Sequence, residues 1–179
     1  MNKQYKLDLV FGEKSEKNTL ESLKLLLNDD SLKHYNNKYS TLDFCSEKYN
    51  LICEVKGRRI SSRQYPTTMI GCNKIKLANK MFKKGYTILF FFDFSDGLFF
   101  FDYKDFDSIS EHKLYDEKMG GTFKRGFKEI KMHCYIPISR LTKVQKYRRG
   151  SIDYMRTYKY RGLPDNVRNI IENFIVCKN

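Results

Sequence analysis

Apolar positions in this chain fall into short alternating or continuous blocks separated by polar turns, with two stretches at helical spacing. Residues 4–11 alternate, and Gly12 follows them, which predicts a short strand or extended arm. From Ser15 to Leu27 the period changes: Leu20, Leu23 and Leu27 form one stripe with Leu26 beside it, a helix with Ser15 as its N-cap. Two strands follow, Tyr39 to Phe44 and Leu51 to Lys56, joined as a hairpin through residues 46–50. The spacing then predicts a helix over 67–84, with Ile70, Ile75, Leu77, Ala78 and Met81 on its core face and Gly85 closing it. Tyr86 to Asp93 is a continuous apolar block too short for an ordinary helix, so it reads as a buried central strand. Ser95-Asp96-Gly97 turns it into a partner strand, Leu98 to Tyr103. Met132 to Ile138 is a further strand, and Pro164 opens a helix with Val167, Ile170, Ile171 and Phe174 on one face. The order helix, β-hairpin, helix, strand, strand predicts an α/β fold with a central mixed sheet flanked by helices.

One core of ordinary size fits 179 residues, so the expected organisation is a single domain: a core over 1–110 and a basic C-terminal extension over 111–179 packed on it. A hydrophobic content of 41% with 15% aromatic residues argues against disorder. The five cysteines, at 45, 53, 72, 134 and 177, are scattered without a C-x-x-C pair, which points to reduced, buried fillers instead of a disulfide framework or zinc site. The N-terminus has no apolar leader and the longest apolar run is far too short to cross a bilayer. An intracellular, soluble protein is expected, cytoplasmic or nuclear. Heavy use of Lys, Asn, Tyr and Phe fits an AT-rich genome, of a virus or phage or equally of many bacteria.

Charge changes this picture. The net charge is +13, and residues 124–162 hold twelve Lys or Arg against Glu129 and Asp153. Such a one-sided distribution marks a polyanion partner, since each neutralised phosphate releases condensed counterions. Lys124, Arg125, Arg148, Arg149 and Arg156 are the candidate phosphate contacts there. Phe123, Phe127, Tyr135, Tyr147, Tyr154, Tyr158 and Tyr160 are interleaved with them, either as stacking platforms for unpaired bases or as a small core beneath a basic face.

The chemistry-bearing residues are Asp43 and Glu54-Val55-Lys56. Alternate side chains of a strand share a face, so Glu54 and Lys56 project together while Cys53 and Val55 point to the opposite layer. Two carboxylates can hold a hard divalent cation, and a neighbouring ammonium can orient an attacking water and offset charge on a phosphate. Burying an acid and a base in an otherwise apolar run is costly unless they are paired, which suggests a purpose. Arg58, Arg59 and Arg63 must lie close to this site and are candidate phosphate contacts. His34, His112 and His133 have no partners at useful spacing for a metal, and no glycine-rich phosphate loop precedes a helix, which argues against a nucleotide-driven motor.

An acid on one strand, acid-x-Lys on the next, an acid on the preceding helix and a basic helix after the pair resemble the PD-(D/E)xK nuclease superfamily, phage and large-DNA-virus members in particular. Leu42 stands where the family pattern has Pro. The resemblance covers about residues 5–105 and implies a restriction-endonuclease-like core. It further implies Asp43 and Glu54 as metal ligands, the Val55 carbonyl as another, Glu16 as a supporting acid, and Lys56 as the water-positioning base. Glu13 and Glu21 are alternatives to Glu16 on the same helix. By the same resemblance Lys74 is a second basic catalytic residue. The implied function is a Mg²⁺- or Mn²⁺-dependent endonuclease acting on DNA, branched or otherwise structured DNA included, with a two-fold assembly by analogy. The alternatives are RNA cleavage and a nucleic-acid-binding module that no longer cleaves.

Overall fold

The computed structural model describes residues 3–27, 29–34, 42–108, 114–115 and 132–144. Along the chain run α1 (Lys3–Leu27), β1 (Lys33–His34), β2 (Phe44–Ser46), β3 (Leu51–Gly57), β4 (Thr67–Gly71), α2 (Cys72–Phe82), β5 (Thr87–Phe94), β6 (Gly97–Asp102), β7 (Leu114–Tyr115), β8 (His133–Pro137) and β9 (Thr142–Val144). A mixed six-stranded sheet has the order β1-β2-β3-β5-β6-β9, and a three-stranded sheet the order β4-β8-β7. Strands after residue 110 therefore complete both sheets.

β3 and β5 pair in parallel with Leu51 opposite Thr87 and Gly57 opposite Asp93, so the segment between them is a crossover built from β4 and α2. The other neighbours are antiparallel: Phe44 opposite Cys53 in the β2–β3 hairpin, and Phe94 opposite Gly97 in the β5–β6 hairpin. Every residue from Ile88 to Phe92 is buried, which makes β5 the sheet's two-sided centre. On one face Ile52, Ile88, Phe90, Phe92 and Phe101 pack under Ile75 and Ala78 of α2 and under Ile70 and Ile136 of the small sheet. On the other face Leu51, Cys53, Val55, Leu89 and Phe91 meet Leu23 of α1. Helices thus cover both faces of a central mixed sheet, as the alternation of elements predicts.

Besides the strand expected at Tyr39 to Phe44, which runs Phe44–Ser46 and leaves Asp43 just before it, two elements differ from expectation. Residues 4–11 belong to α1, which is one continuous helix running through Gly12. Leu7 and Leu9, whose alternation suggests a strand, face solvent at 52% and 43% exposure, while Ser15 and Thr19 sit buried on the stripe that ends in Leu23. Ser15 is consequently an interior contact, not an N-cap. Small side chains there let α1 lie close on β3, and Gly57 completes the approach. A Cβ added at Gly57 would stand 2.8 Å from Phe11 Cε1 and 2.6 Å from Ser15 Oγ.

The second difference is that residues 67–71 form β4 and α2 begins only at Cys72. Thr67, Thr68 and Ile70 are β-branched, and β8 supplies a full ladder from Thr67 opposite Pro137 to Gly71 opposite His133, which outweighs helix continuation. Ile70 is buried, but from the strand. After α2 a turn ends at Gly85, whose φ of +87° is a left-handed conformation that glycine adopts without strain. Residues 39–41, the basic cluster at 124–125 and 148–156, and the segment after Pro164 lie outside the described residues. Cys45, Cys53, Cys72 and Cys134 are free thiols, and Cys72 and Cys134 touch at 3.4 Å between sulfurs.

Candidate active site

The site forms where β2 stops. β2 pairs with β3 only as far as Cys53, so among the described residues the next part of β3, Glu54 to Lys56, has no strand on that side. Asp43, the residue just before β2, continues the ladder by other means: its N–H donates to the Cys53 carbonyl at 3.0 Å, and its Oδ2 accepts the Val55 N–H at 2.7 Å. The carboxylate replaces the carbonyl that a longer β2 would have offered. Because N–H and C=O of one strand residue point to the same side, the Val55 carbonyl is aimed at this same edge.

Glu54 is fully buried on the α2 side of β3. Two ammonium groups neutralise it: Lys56 Nζ lies 2.6 Å from Oε1, and Lys74 Nζ donates to Oε2 at 2.8 Å. Lys74 reaches this point from the first turn of α2 because the helix starts right after β4. Burial pushes the Glu54 carboxyl up to about 7 against the pull of both lysines, and the nearby Asp43 charge adds to the rise. Burial acts to lower the Lys56 ammonium, but attraction and a hydrogen bond to Glu54 together with the Asp43 charge outweigh it, and the net shift is upward. Removing either lysine would leave a buried charge under-compensated.

Glu16, half-buried on α1, comes to the same edge from the opposite face. Its carboxyl is raised by burial and by Asp43, and lowered by Lys56, His34 and Lys74, which sets it within the field of the whole cluster. Glu13 and Glu21 are exposed on α1. Geometry therefore gathers Asp43, Glu54, the Val55 carbonyl, Glu16, Lys56 and Lys74. His34 was not among the sequence candidates; it lies on β1, edge-on to Phe44 with ring centroids 4.7 Å apart, and within the electrostatic reach of Glu16. Nothing in its sequence neighbourhood signals this, because β1 becomes a neighbour only through sheet pairing.

The three arginines after β3 divide. Arg58 is turned inward, donating through Nε to Thr68 Oγ1 at 3.3 Å and through Nη2 to the Met69 carbonyl, so it ties β3 to β4. Arg59 is exposed and paired with Asp8 of α1 at 2.7 Å. Arg63 is exposed in the turn that follows, its N–H bonded to Ser61 Oγ at 3.2 Å. Lys124, Arg125, Arg148, Arg149 and Arg156 lie outside the described residues.

Among the described residues no three His, Cys, Asp or Glu side chains close around one point tightly enough to enclose an ion. The donors nevertheless suit a hard divalent cation, since all are oxygens. Glu54 Oε1 also fits: the Lys56 ammonium at 2.6 Å occupies one side of this buried oxygen, and a carboxylate oxygen has a second lone pair to offer. No helix among the described residues is long and apolar enough to cross a membrane.

Neither curated proteins nor solved structures give a match to this chain. A family model described as "phage putative PDDEXK endonuclease" matches residues 13–144, a span that begins in α1 and ends with β9 and so takes in the whole acid and lysine cluster. With that match across most of its length, the chain belongs to the phage PDDEXK endonuclease family, a group of nucleases on a restriction-endonuclease-like fold.

Proposed function

We propose that the protein is a divalent-metal-dependent endonuclease, using Mg²⁺ or Mn²⁺, that hydrolyses phosphodiester bonds in DNA. The observation that carries this reading is the fully buried Glu54 held between Lys56 and Lys74 at the edge where Asp43 ends the ladder. A structural role alone would be served better by apolar residues of similar volume, because desolvating two ammonium groups and a carboxylate offsets much of their attraction.

In this reading Asp43, Glu54 and the Val55 carbonyl hold the cation, with Glu16 supporting from α1. When bound, the cation supplies Lewis-acid polarisation of the phosphate and favours the deprotonated form of a water. Lys56, about a third exposed and held as an ammonium beside Glu54, orients the attacking water and offsets the negative charge that develops on it. Lys74, better covered, holds Glu54 in its rotamer and offsets the charge developing on the phosphate oxygens. Arg59 and Arg63 contact the backbone near the site, and Lys124, Arg125, Arg148, Arg149 and Arg156 clamp it farther away.

The test is incubation of the purified chain with end-labelled duplex, branched and single-stranded DNA and with RNA, each with Mg²⁺, with Mn²⁺ and with chelator. Metal-dependent internal cuts in DNA are expected. Cleavage of RNA alone would move the substrate class, and tight binding without cleavage under every condition would leave a nucleic-acid-binding module.

A further inference from the structure

A cavity of about 390 Å³ opens beside the carboxylates and extends from the proposed site along α1. Glu16, Val55, Lys56 and Arg58 line it from the site, and Asp8, Phe11, Gly12 and Arg59 are among the residues that line it farther along. The Arg59 guanidinium lies over the Phe11 ring, 4.7 Å from its centroid. Asp8 at 2.7 Å and the Leu7 carbonyl at 3.1 Å hold it there. A side chain that is ordinarily rotamer-rich is thus fixed as a flat plate against an aromatic ring.

The geometry points to this cavity as a subsite for one unpaired nucleobase next to the scissile phosphate; the assignment rests on the nuclease reading and adds a substrate feature to it. Its size is near the low end for small-ligand pockets and suits a single nucleoside, not a paired duplex. Its wall carries an exposed guanidinium backed by an aromatic ring, a surface on which extruded or single-stranded bases stack. Asp8 and Glu16 put two carboxylates into a lining that also holds Lys56, Arg58 and Arg59, so the exocyclic amino groups of adenine or cytosine find acceptors there while the phosphate of the same nucleotide finds Lys56. A base inside an intact duplex has no free face to offer, so the preferred substrate carries an unpaired nucleotide at the cut: a bulge, a flap or a branch point.

Gly12 supplies a clean perturbation. A Cβ there would meet nothing within 4 Å, so Gly12→Leu starts from open space in the cavity lining and, within α1, favours the helix. The experiment uses the full chain and two DNA duplexes that differ only in whether a 2-aminopurine is paired or bulged. Binding is read in chelator by fluorescence, and cleavage in Mn²⁺. The expected result is roughly tenfold tighter binding of the bulged duplex, with quenching of its fluorescence as the base stacks. Cuts should cluster beside the bulge. Gly12→Leu, Phe11→Ala and Arg59→Ala should each bring the bulged-to-paired ratio towards one. Equal binding of the two duplexes by the unaltered chain, or an undiminished ratio in Gly12→Leu, overturns the subsite. Cleavage without preference for the bulge removes the subsite and leaves the nuclease reading standing. A preserved preference without any cleavage does the reverse, and loss of both removes both.

Discussion

Replacing Glu54 by Gln should make the metal-free protein more stable at alkaline pH. Gln has the shape of Glu and the charge of its protonated form, so it reproduces the site as it exists below the carboxyl pKa. The Glu54 carboxyl ionises near 7 in the folded chain against an ordinary 4.5, chiefly because burial withholds water from the charge. A carboxyl raised in this way binds its proton more tightly folded than unfolded, so its contribution to stability is greatest below about 4.5 and falls as the pH climbs to about 7. At 1.36 kcal/mol for each pH unit, that interval amounts to about 3 kcal/mol of stability lost on ionisation. The Gln variant loses none of it. Urea unfolding in chelator at pH 5, 6, 7 and 8 should give nearly equal stabilities at the acid end. At pH 8 the variant should lead by about 3 kcal/mol, or roughly 6–12 °C in Tm for a chain of this size. Groups that titrate elsewhere cancel in the difference. Parallel curves, with no divergence between pH 5 and 8, would show that the two lysines fully compensate for burial and that the raised carboxyl is wrong. A variant less stable at pH 8 would show that the ion pairs contribute net stabilisation.

Lys56→Ala should lower the rate of DNA cleavage by roughly a hundredfold or more while leaving affinity largely intact, measured by filter binding beside a gel assay; equal loss of both would remove its catalytic role. Gly57→Ala forces a Cβ against Phe11 and Ser15 and should destabilise the fold by about 1–3 kcal/mol in thermal unfolding. Its cleavage rate should also fall, since α1 carries Glu16, and an unchanged Tm would show that the helix yields at little cost. Charge reversal at Arg148 and Arg149 should flatten the slope of log affinity against log salt by roughly one for each lost phosphate contact, and an unchanged slope would place both outside the contact surface.

Legibility followed the range of the interactions that decide each element. β5 and β6 are readable because an uninterrupted apolar block and the Ser95-Asp96-Gly97 turn need no outside information. The shared face of Glu54 and Lys56 is readable for the same reason, since the period of a strand is local. Residues 67–71 misled because their β-branched pattern competes with the helical spacing that follows, and the ladder that decides the matter comes from β8, more than sixty residues away. The start of α1 misled because Leu7 and Leu9 face solvent, whereas Phe11, Ser15 and Thr19, which face β3, include two polar residues. The choice of Glu16 over its neighbours and the nearness of His34 needed the packing of α1 and β1 around β3. The inward turn of Arg58 likewise depends on where Thr68 and Met69 come to rest.

The parallel pairing of β3 with β5 bears on when the chain acquires chemistry during synthesis. Asp43, Glu54 and Lys56 emerge early, yet Glu54 becomes a buried charge only after the crossover has closed, and that crossover carries Lys74 to its second oxygen. Desolvation and counter-charge therefore arrive in one folding event, and a nascent segment ending before β5 holds the acids without the dry pocket that sharpens them. Parallel strands form late because the loop between them must close first. With the site proposed above, cutting is expected only once the central sheet has closed.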